Sequence, residues 1–485
     1  MAFDCDVLIA GGGPTGVTLA KLLARRGVKV IVAEKEADIY PLPRAAHLDH
    51  EAMRILQEAG VADEVMASSR QVSRYDFLNA EGEVLLRFDG MARTGPGGWP
   101  LANMIHQPSV EAALRRSLAR ESCAELHTHW SLLSFNDDGD GITATIAMPT
   151  GERPLRARYL VGADGARSPV RERAGIAFED LGFEEPWLVV DVLVDDPSRL
   201  PADNLQICDP ARPTTCVLMG AGRHRWEFMI KPGETPEALS ADVSIEALLA
   251  PWHVAGAVRL ERKAVYTFRA RIAERWRQGR VLLAGDAAHQ TPPFAGQGMC
   301  SGLRDAANLA WKLAAVCVGH APDVLLDTYH PERVPNLRAT IQMAITMGRT
   351  VCITEPEVAA ARDAQMLAAR ADGQSPDGSV SYPALTSGAV LMGATAAGEY
   401  FPQARASDGL ALDDALGLDA WLIARSDLAR APLAPFAADL GAWFDAHGVD
   451  ALLLRPDRHV FGAGEAAVLQ AAWAELAGGI RLRRV

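Results

Sequence analysis

Three acids close apolar runs that read as strands: Glu34 after "VKVIVA", Asp164 after "RYLVGA" and Asp286 after "RVLLAG". A carboxylate so placed can accept hydrogen bonds from a ligand's hydroxyl groups. Ahead of Glu34 lies Gly11-x-Gly13-x-x-Gly16, with Pro14 and Thr15 inside the motif. Gly11 allows a tight turn, Gly13 lets backbone approach a pyrophosphate, and Gly16 lets a helix pack close to a strand. The helix that starts there offers free N–H groups and a positive dipole end to phosphates. Glu34, about 20 residues beyond the glycines, is placed for ribose hydroxyls, with Lys35 beside it. This is dinucleotide-binding chemistry, and the motif alone does not separate NAD from FAD. Two later corners bear on the choice: Asp164-Gly165-x-x-Ser168-x-x-Arg171 and Gly285-Asp286-Ala287-Ala288-His289. Two acids beside glycine, far apart in sequence, suit a long ligand lying across the carboxyl edge of a sheet. FAD is such a ligand, with ribose hydroxyls for one acid and the ribityl chain for another.

The elements that must position these groups are legible in outline. Strand, glycine turn, helix and strand fill residues 1–35. "YPLPRAAHLDHEAMRIL" is a turn broken by Pro41 and Pro43, with helix resuming from His50 to Leu56. "HQPSVEAALRRSLA" reads as an amphipathic helix with a proline start. From about 183 to 268 the pattern is β-rich, and a long helical region runs from about 297 to 350. "RADGQSPDGSVSYPALTSGAV" reads as a linker, and the tail beyond it as a compact α/β unit. A second glycine motif, Gly462-x-Gly464-x-x-Ala467, has no acid closing a following strand, so it reads as a tight strand-to-helix turn.

Length and composition set the outer bounds. The 485 residues allow two or three domains and a large core. A net charge of −13 argues against a nucleic-acid partner, whose phosphates need a basic footprint. The seven cysteines are scattered and include no C-x-x-C, which reads as reduced thiols with neither a disulfide framework nor a metal site. The N-terminus does not read as a signal peptide, and no long uncharged apolar stretch suggests a membrane span, so a cytoplasmic protein is expected.

With "GGGPTG" and Glu34, "GADGARSPVR", and "GRVLLAGDAAHQTPPFAGQGMCSGLRDAANLAWKL" in this order, the sequence resembles the single-component flavoprotein aromatic hydroxylases over essentially its whole length. "YPLPRAAHLDHEAMRI", "DPARPTT" and "RWEFMIKPGE" look most like the 3-(3-hydroxyphenyl)propionate hydroxylases of that family. The resemblance implies an α/β fold of the para-hydroxybenzoate hydroxylase type. Its Rossmann-like FAD-binding domain would comprise residues 1–75, 101–182 and 269–370. A β-sheet substrate domain would take 76–100 and 183–268, a linker 371–394, and a thioredoxin-like domain 395–485. It also implies tightly bound FAD, NADH or NADPH as a transient reductant, and dioxygen as co-substrate. Oxygen would add to the flavin as a hydroperoxide and pass an electrophilic hydroxyl to the ring carbon ortho to a phenol oxygen. The expected substrate is a phenolic acid of the hydroxyphenylpropionate kind. A larger polyphenol or polyketide, or a non-catalytic FAD-fold binding module, are the alternatives. A monomer or homodimer is expected.

Residue by residue, the resemblance assigns Glu34 to the adenosine ribose, and Gly11, Gly13 and Gly16 to the pyrophosphate. Arg44 would lie near the flavin's phosphates and ring, with Gln107 also contacting the flavin. Asp164 and Gly165 belong to a loop serving FAD and the transient nucleotide, and Asp286 to the ribityl and pyrophosphate region. Pro293, Gly296, Gln297, Gly298 and Met299 would run past the flavin ring at a helix start. Backbone N–H groups there would stabilise negative charge on the reduced ring. Gly296 to Met299, His47 and Tyr266 are thus the candidate catalytic residues. For His47, His50 and His289, packing or hydrogen bonding is the commoner use. Arg212, Arg223 and Arg225 are candidates for pairing with a substrate carboxylate, and Tyr266 for contact with a phenol.

Overall fold

The computed structural model describes residues 2–42, 44–373 and 382–484. Pro43 and much of the expected linker (374–381) lie outside the described residues. The N-terminal half builds on an eight-stranded sheet whose core is parallel. In spatial order the core strands are Ala124–His127, Val30–Ala33, Cys5–Ala10, Gly151–Gly162 and Val281–Leu283. Their apolar runs are buried on both faces, as parallel strands covered by helices require. The register is what matters for function. Ala10 pairs with both Ala33 and Gly162, and Gly162 pairs with Leu283. Four strands therefore end level, and the glycine turn, Glu34, Asp164 and the Gly285-Asp286 corner all emerge at one sheet edge. The helix Pro14–Ala24 covers this sheet and packs between Gln107–Leu118 and Gly298–Cys317.

The second eight-stranded sheet is mostly antiparallel. Its order is His289–Gln290, Val258–Ala273, Phe178–Val194, Arg223–Met229, Thr214–Leu218, Asn204–Ile207, Arg74–Leu78 and Val84–Asp89. Alternation sorts its faces. Leu188, Val190, Val192, Trp226 and Phe228 form an outer core with Leu239 and Ile245 of two short helices. Trp187, Val189, Asp191, Arg225 and Glu227 share the opposite face, from which Arg225 donates to the carbonyl of Arg44 in the loop that follows Val30–Ala33. The expected borders at 182/183 and 268/269 fall inside the single strands Phe178–Val194 and Val258–Ala273, which carry the chain continuously from one sheet's territory to the other.

The tail forms a thioredoxin-like four-stranded sheet, ordered Val460–Ala463, Ala451–Leu454, Ala420–Ala424 and Leu482–Arg483. The helices Ala437–His447 and Ala466–Ala477 flank it. Gly462-x-Gly464 is the turn between an antiparallel strand and a helix. The described end of the expected linker docks in part. Leu385 and Ala389 are buried, and the amide of Ala389 donates to Glu332 (2.6 Å). A Pro/Ser/Gly-rich composition conceals this packing, because the segment's few apolar residues are the ones that dock.

Candidate active site

The glycine turn is built by steric necessity. Gly11 sits at φ +106°, where a Cβ would come within 2.3 Å of the carbonyl oxygen of Ala163. A Cβ on Gly16 would lie 2.0 Å from the carbonyl oxygen of Gly11, so only glycine lets the helix approach the strand. Gly13, in contrast, has ordinary backbone angles and open space where its side chain would be. No side chain caps the helix it begins. Glu34 accepts from the amides of Gly12 (2.6 Å) and Glu36 (2.8 Å), which fixes its carboxylate under the turn. Lys35 stands exposed beside Glu36 at 3.8 Å.

The two acid-and-glycine corners touch this turn. Asp164 follows Ala163 directly and accepts from the Ser168 hydroxyl and the Val170 amide (3.0 Å), capping the short helix Pro169–Arg173. Burial pushes its carboxyl above the usual range. Gly165, at φ +83°, supplies the left-handed turn. Arg171 joins the corners, donating to the carbonyls of Ala166 (3.1 Å) and Ala287 (3.4 Å). On the other side, Thr15 fills the space beside Gly285 and Gly302, so a Cβ at either glycine would strike its hydroxyl. Asp286 has an exposed side chain although protein surrounds it deeply enough to raise its carboxyl, as on the floor of a groove. Among the described residues no hydrogen bond engages it. Beneath it, Asp305 accepts from the Gly285 amide (3.0 Å) and from Arg333 (2.9 Å) and faces His289 at 2.7 Å, so His289 braces the corner from below. Asp305 was not singled out from sequence, although it lies inside the motif "GLRDAANLAWKL"; its role depends on a contact 20 residues away.

At the far end of the groove, Gln107 accepts from the amides of Ala45 (2.7 Å) and Arg44 (3.2 Å) and donates to Glu111 (2.7 Å). It thereby holds the backbone that carries Arg44, whose side chain is exposed and acts electrostatically on both Asp286 and Glu111. Gly296 turns at φ +65° and its carbonyl faces His47 Nδ1 at 3.3 Å; burial lowers the pKa of that histidine. Gly298 and Met299 open the helix Gly298–Cys317, which no side chain caps. Gln297 turns inward instead. It is 2% exposed and accepts from Arg304 (3.1 Å), so its side chain positions the loop and does not face the groove. Pro293 starts the turn that plants Phe294 edge-on among Phe183, Trp187 and Phe268 at 5.5–6.0 Å. His50 accepts from the Gly97 amide (3.0 Å), a bracing role.

The three candidate arginines are committed, Arg223 and Arg225 on the inner face of the second sheet and Arg212 in the loop before Thr214–Leu218. Arg212 pairs with Glu234, Arg223 with Glu261, and buried Arg225 with Asp191 at 2.6 Å. Arg262 also reaches Asp191, at 3.2 Å. The expectation that one of the three candidates clamps a substrate carboxylate meets guanidinium groups already held by protein carboxylates. Tyr266 lies on this face, opposite Trp187, with Arg262 5.0 Å from its ring centre. Tyr75, unremarked in the sequence, is half-buried, its ring 5.1 Å from that of Phe77. Its hydroxyl donates to Gln206 (3.1 Å), which also accepts from Thr215 (2.9 Å).

FAD fits the donors and acceptors of this groove. Free helix N–H groups and the open face of Gly13 suit the pyrophosphate, Glu34 suits a ribose, and the unengaged Asp286 suits a hydroxyl-bearing chain. Comparison with known proteins agrees. Residues 4–344 match the FAD binding domain family, and 429–479 match the HcaD C-terminal domain. The chain is 38% identical, over 98% of its length and 93% of the relative's, to a probable NADH-specific resorcinol 4-hydroxylase of Rhodococcus jostii. It is 42% identical to a 3-(3-hydroxy-phenyl)propionate/3-hydroxycinnamic acid hydroxylase of Comamonas testosteroni, over 76% of this chain and 62% of that one. Aklavinone-11 hydroxylase, solved with FAD and aklavinone, superposes with a TM-score of 0.79 at 29% identity, covering 98% of this chain and 99% of the other. The chain belongs to the FAD-dependent aromatic hydroxylases, the flavoprotein monooxygenases built on this FAD-binding domain.

Proposed function

We propose that this enzyme hydroxylates a small, neutral, polyhydroxylated benzene of the resorcinol type, with NADH as reductant. The observation that carries the substrate class is the pairing of Arg212, Arg223 and Arg225 with Glu234, Glu261 and Asp191. Breaking such a pair to seize a substrate carboxylate would strand a protein carboxylate, at a cost of several kcal/mol where the pair is buried. What the inner face offers instead is hydroxyl and amide chemistry, from Tyr75, Gln206 and Thr215. The likeness to the NADH-specific resorcinol hydroxylase, which runs nearly the full length of both chains, supports the same reading. The seven cysteines are all free, which accords with a reducing, cytoplasmic setting.

Bound FAD supplies the redox chemistry and the activation of dioxygen. The chain's own residues do the rest. The uncapped start of Gly298–Cys317 presents N–H donors to negative charge at the ring, where preorganised donors are worth about 3–4 kcal/mol each. His47 and Gly296 fix the approach of that loop, and Phe294 among its aromatic neighbours keeps water out. Tyr75 is held by Gln206 as a donor, which leaves its oxygen to accept from a phenolic hydroxyl.

The test is a steady-state comparison of the FAD-loaded protein with resorcinol and with 3-(3-hydroxyphenyl)propionate. NADH oxidation, oxygen uptake and hydroxylated product are all followed. Resorcinol should give the higher kcat/KM and a trihydroxybenzene product. Preference for the phenolic acid would overturn the substrate class, and oxygen uptake indifferent to every phenol would overturn hydroxylation itself.

A further inference from the structure

We propose that the C-terminal unit, together with the linker end that leads into it, is a clamp that sets the separation of the two walls of the flavin-ring pocket, acting through Arg304. The inference rests on the FAD reading above, though not on the identity of the phenol. Each wall runs directly into a helix. His47 precedes the helix His50–Glu58, which Asp49 caps through the Ala52 amide (2.8 Å). Gly296 and Gln297 precede Gly298–Cys317. Arg304 bridges the two beginnings, donating to Gln297 (3.1 Å) on one and to Asp49 (2.6 Å) and Glu51 (2.5 Å) on the other. Its guanidinium is buried, and a planar fork of this kind fixes both distance and orientation.

The linker end closes over this bridge, and the C-terminal unit grips both helices further along. The Tyr382 hydroxyl donates to Asp49 (2.9 Å), and Arg304 lies 3.9 Å over the Tyr382 ring. On the first helix, Arg54 forms a two-pronged pair with Asp413 (2.6 and 2.7 Å) and reaches the carbonyl of Phe401. On the second, Trp311 donates to Asp457 (3.1 Å) and stacks with Trp473 at 6.1 Å. Between these parts lies a cavity of about 40 Å³ bounded by Glu51, Arg304, Tyr382 and Asp457, enough for water alone. The unit carries no C-x-x-C, and this grip gives it work that needs none. A shift of either helix start moves the N–H donors relative to the ring, and such donors act over distances where 1 Å matters.

The experiment uses the full-length, FAD-loaded protein without any phenol. Tyr382→Phe removes one hydroxyl from the bridge and keeps the ring; Asp413→Asn loosens the grip on the first helix. Visible circular dichroism of the bound flavin and its midpoint potential are compared with the parent. The clamp predicts altered flavin dichroism in both variants. It also predicts a roughly tenfold loss in preference for reduced over oxidised flavin, which is a fall of about 30 mV for two electrons. A merely structural unit would lower the melting temperature and leave potential and dichroism of the folded protein unchanged; that result overturns the clamp. Should Asp413→Asn not fold, Tyr382→Phe decides alone. Failure of the parent itself to bind flavin would instead overturn the assignment on which the clamp rests.

Discussion

Gly13→Ala and Gly16→Ala are one-methyl changes three residues apart, and the structure separates their consequences. At Gly16 the new Cβ would start 2.0 Å from the carbonyl oxygen of Gly11. Gly11 has no room to retreat, since its own backbone already lies against Ala163. The helix start must therefore move by roughly 1 Å, an overpacking that costs about 1–3 kcal/mol. Better helix propensity returns up to about 1 kcal/mol of this. Apoprotein stability should fall by about 1–2 kcal/mol. At Gly13 the backbone lies at φ −76°, ψ −176°, and nothing stands within 4 Å of the added carbon. Alanine there should leave the apoprotein unchanged or up to about 1 kcal/mol more stable, by restricting the unfolded chain. If a pyrophosphate occupies that open space, however, the methyl pushes it off the helix N–H groups, again for about 1–3 kcal/mol. That is a loss of roughly 5- to 150-fold in FAD affinity. Urea unfolding of the two apoproteins, and flavin fluorescence titration of each, measure both quantities. Gly13→Ala binding FAD within twofold of the parent would place the pyrophosphate elsewhere and refute the groove as drawn.

Other consequences are simpler to state. Asp286→Asn should leave apoprotein stability unchanged or slightly higher, since burial disfavours the charge it removes. The same change should weaken FAD by about 1.5–3 kcal/mol, the worth of a hydrogen bond to a charged group, as read by the same titration. Phe294→Ala removes a buried ring from three aromatic neighbours and should cost about 3–5 kcal/mol in unfolding experiments. It should also raise the peroxide released per NADH consumed, because the loop beside the ring loses its anchor. Stability should collapse in acid. Burial opposes the charge of Glu332, but Arg455 and Lys312 overcome it and hold its pKa at about 2, well below the usual 4.5 of a glutamate. Its contribution, of order 3 kcal/mol, is complete above about pH 4.5 and is lost as pH falls through about 2; unfolding midpoints across that range read it directly.

The sequence by itself determined which corners gather at one sheet edge. Gly11, Gly13, Gly16, Glu34 and the corners at Asp164 and Asp286 were legible because each is a local demand: a turn that admits no side chain, a helix start, an acid ending a buried strand. Apolar runs of the right length then bring those strand ends level. A compact α/β tail was legible for the same reason, from its strand and helix patterns, while its thioredoxin-like character came from the family resemblance. What only the tertiary structure decided was the use of each arginine and of the neighbours around the ring. Arg225 reads as a substrate ligand until Asp191, 34 residues away, is found against it. Arg304 reads as one more basic residue on a helix until Asp49, 255 positions earlier, and Tyr382 close round it. Tyr75 meets Gln206 only when its strand pairs with Asn204–Ile207. A guanidinium or a phenol carries the same chemistry wherever it stands. Whether it meets a ligand or a carboxylate of its own chain is set by contacts between segments far apart in sequence, and no short stretch of residues encodes those contacts.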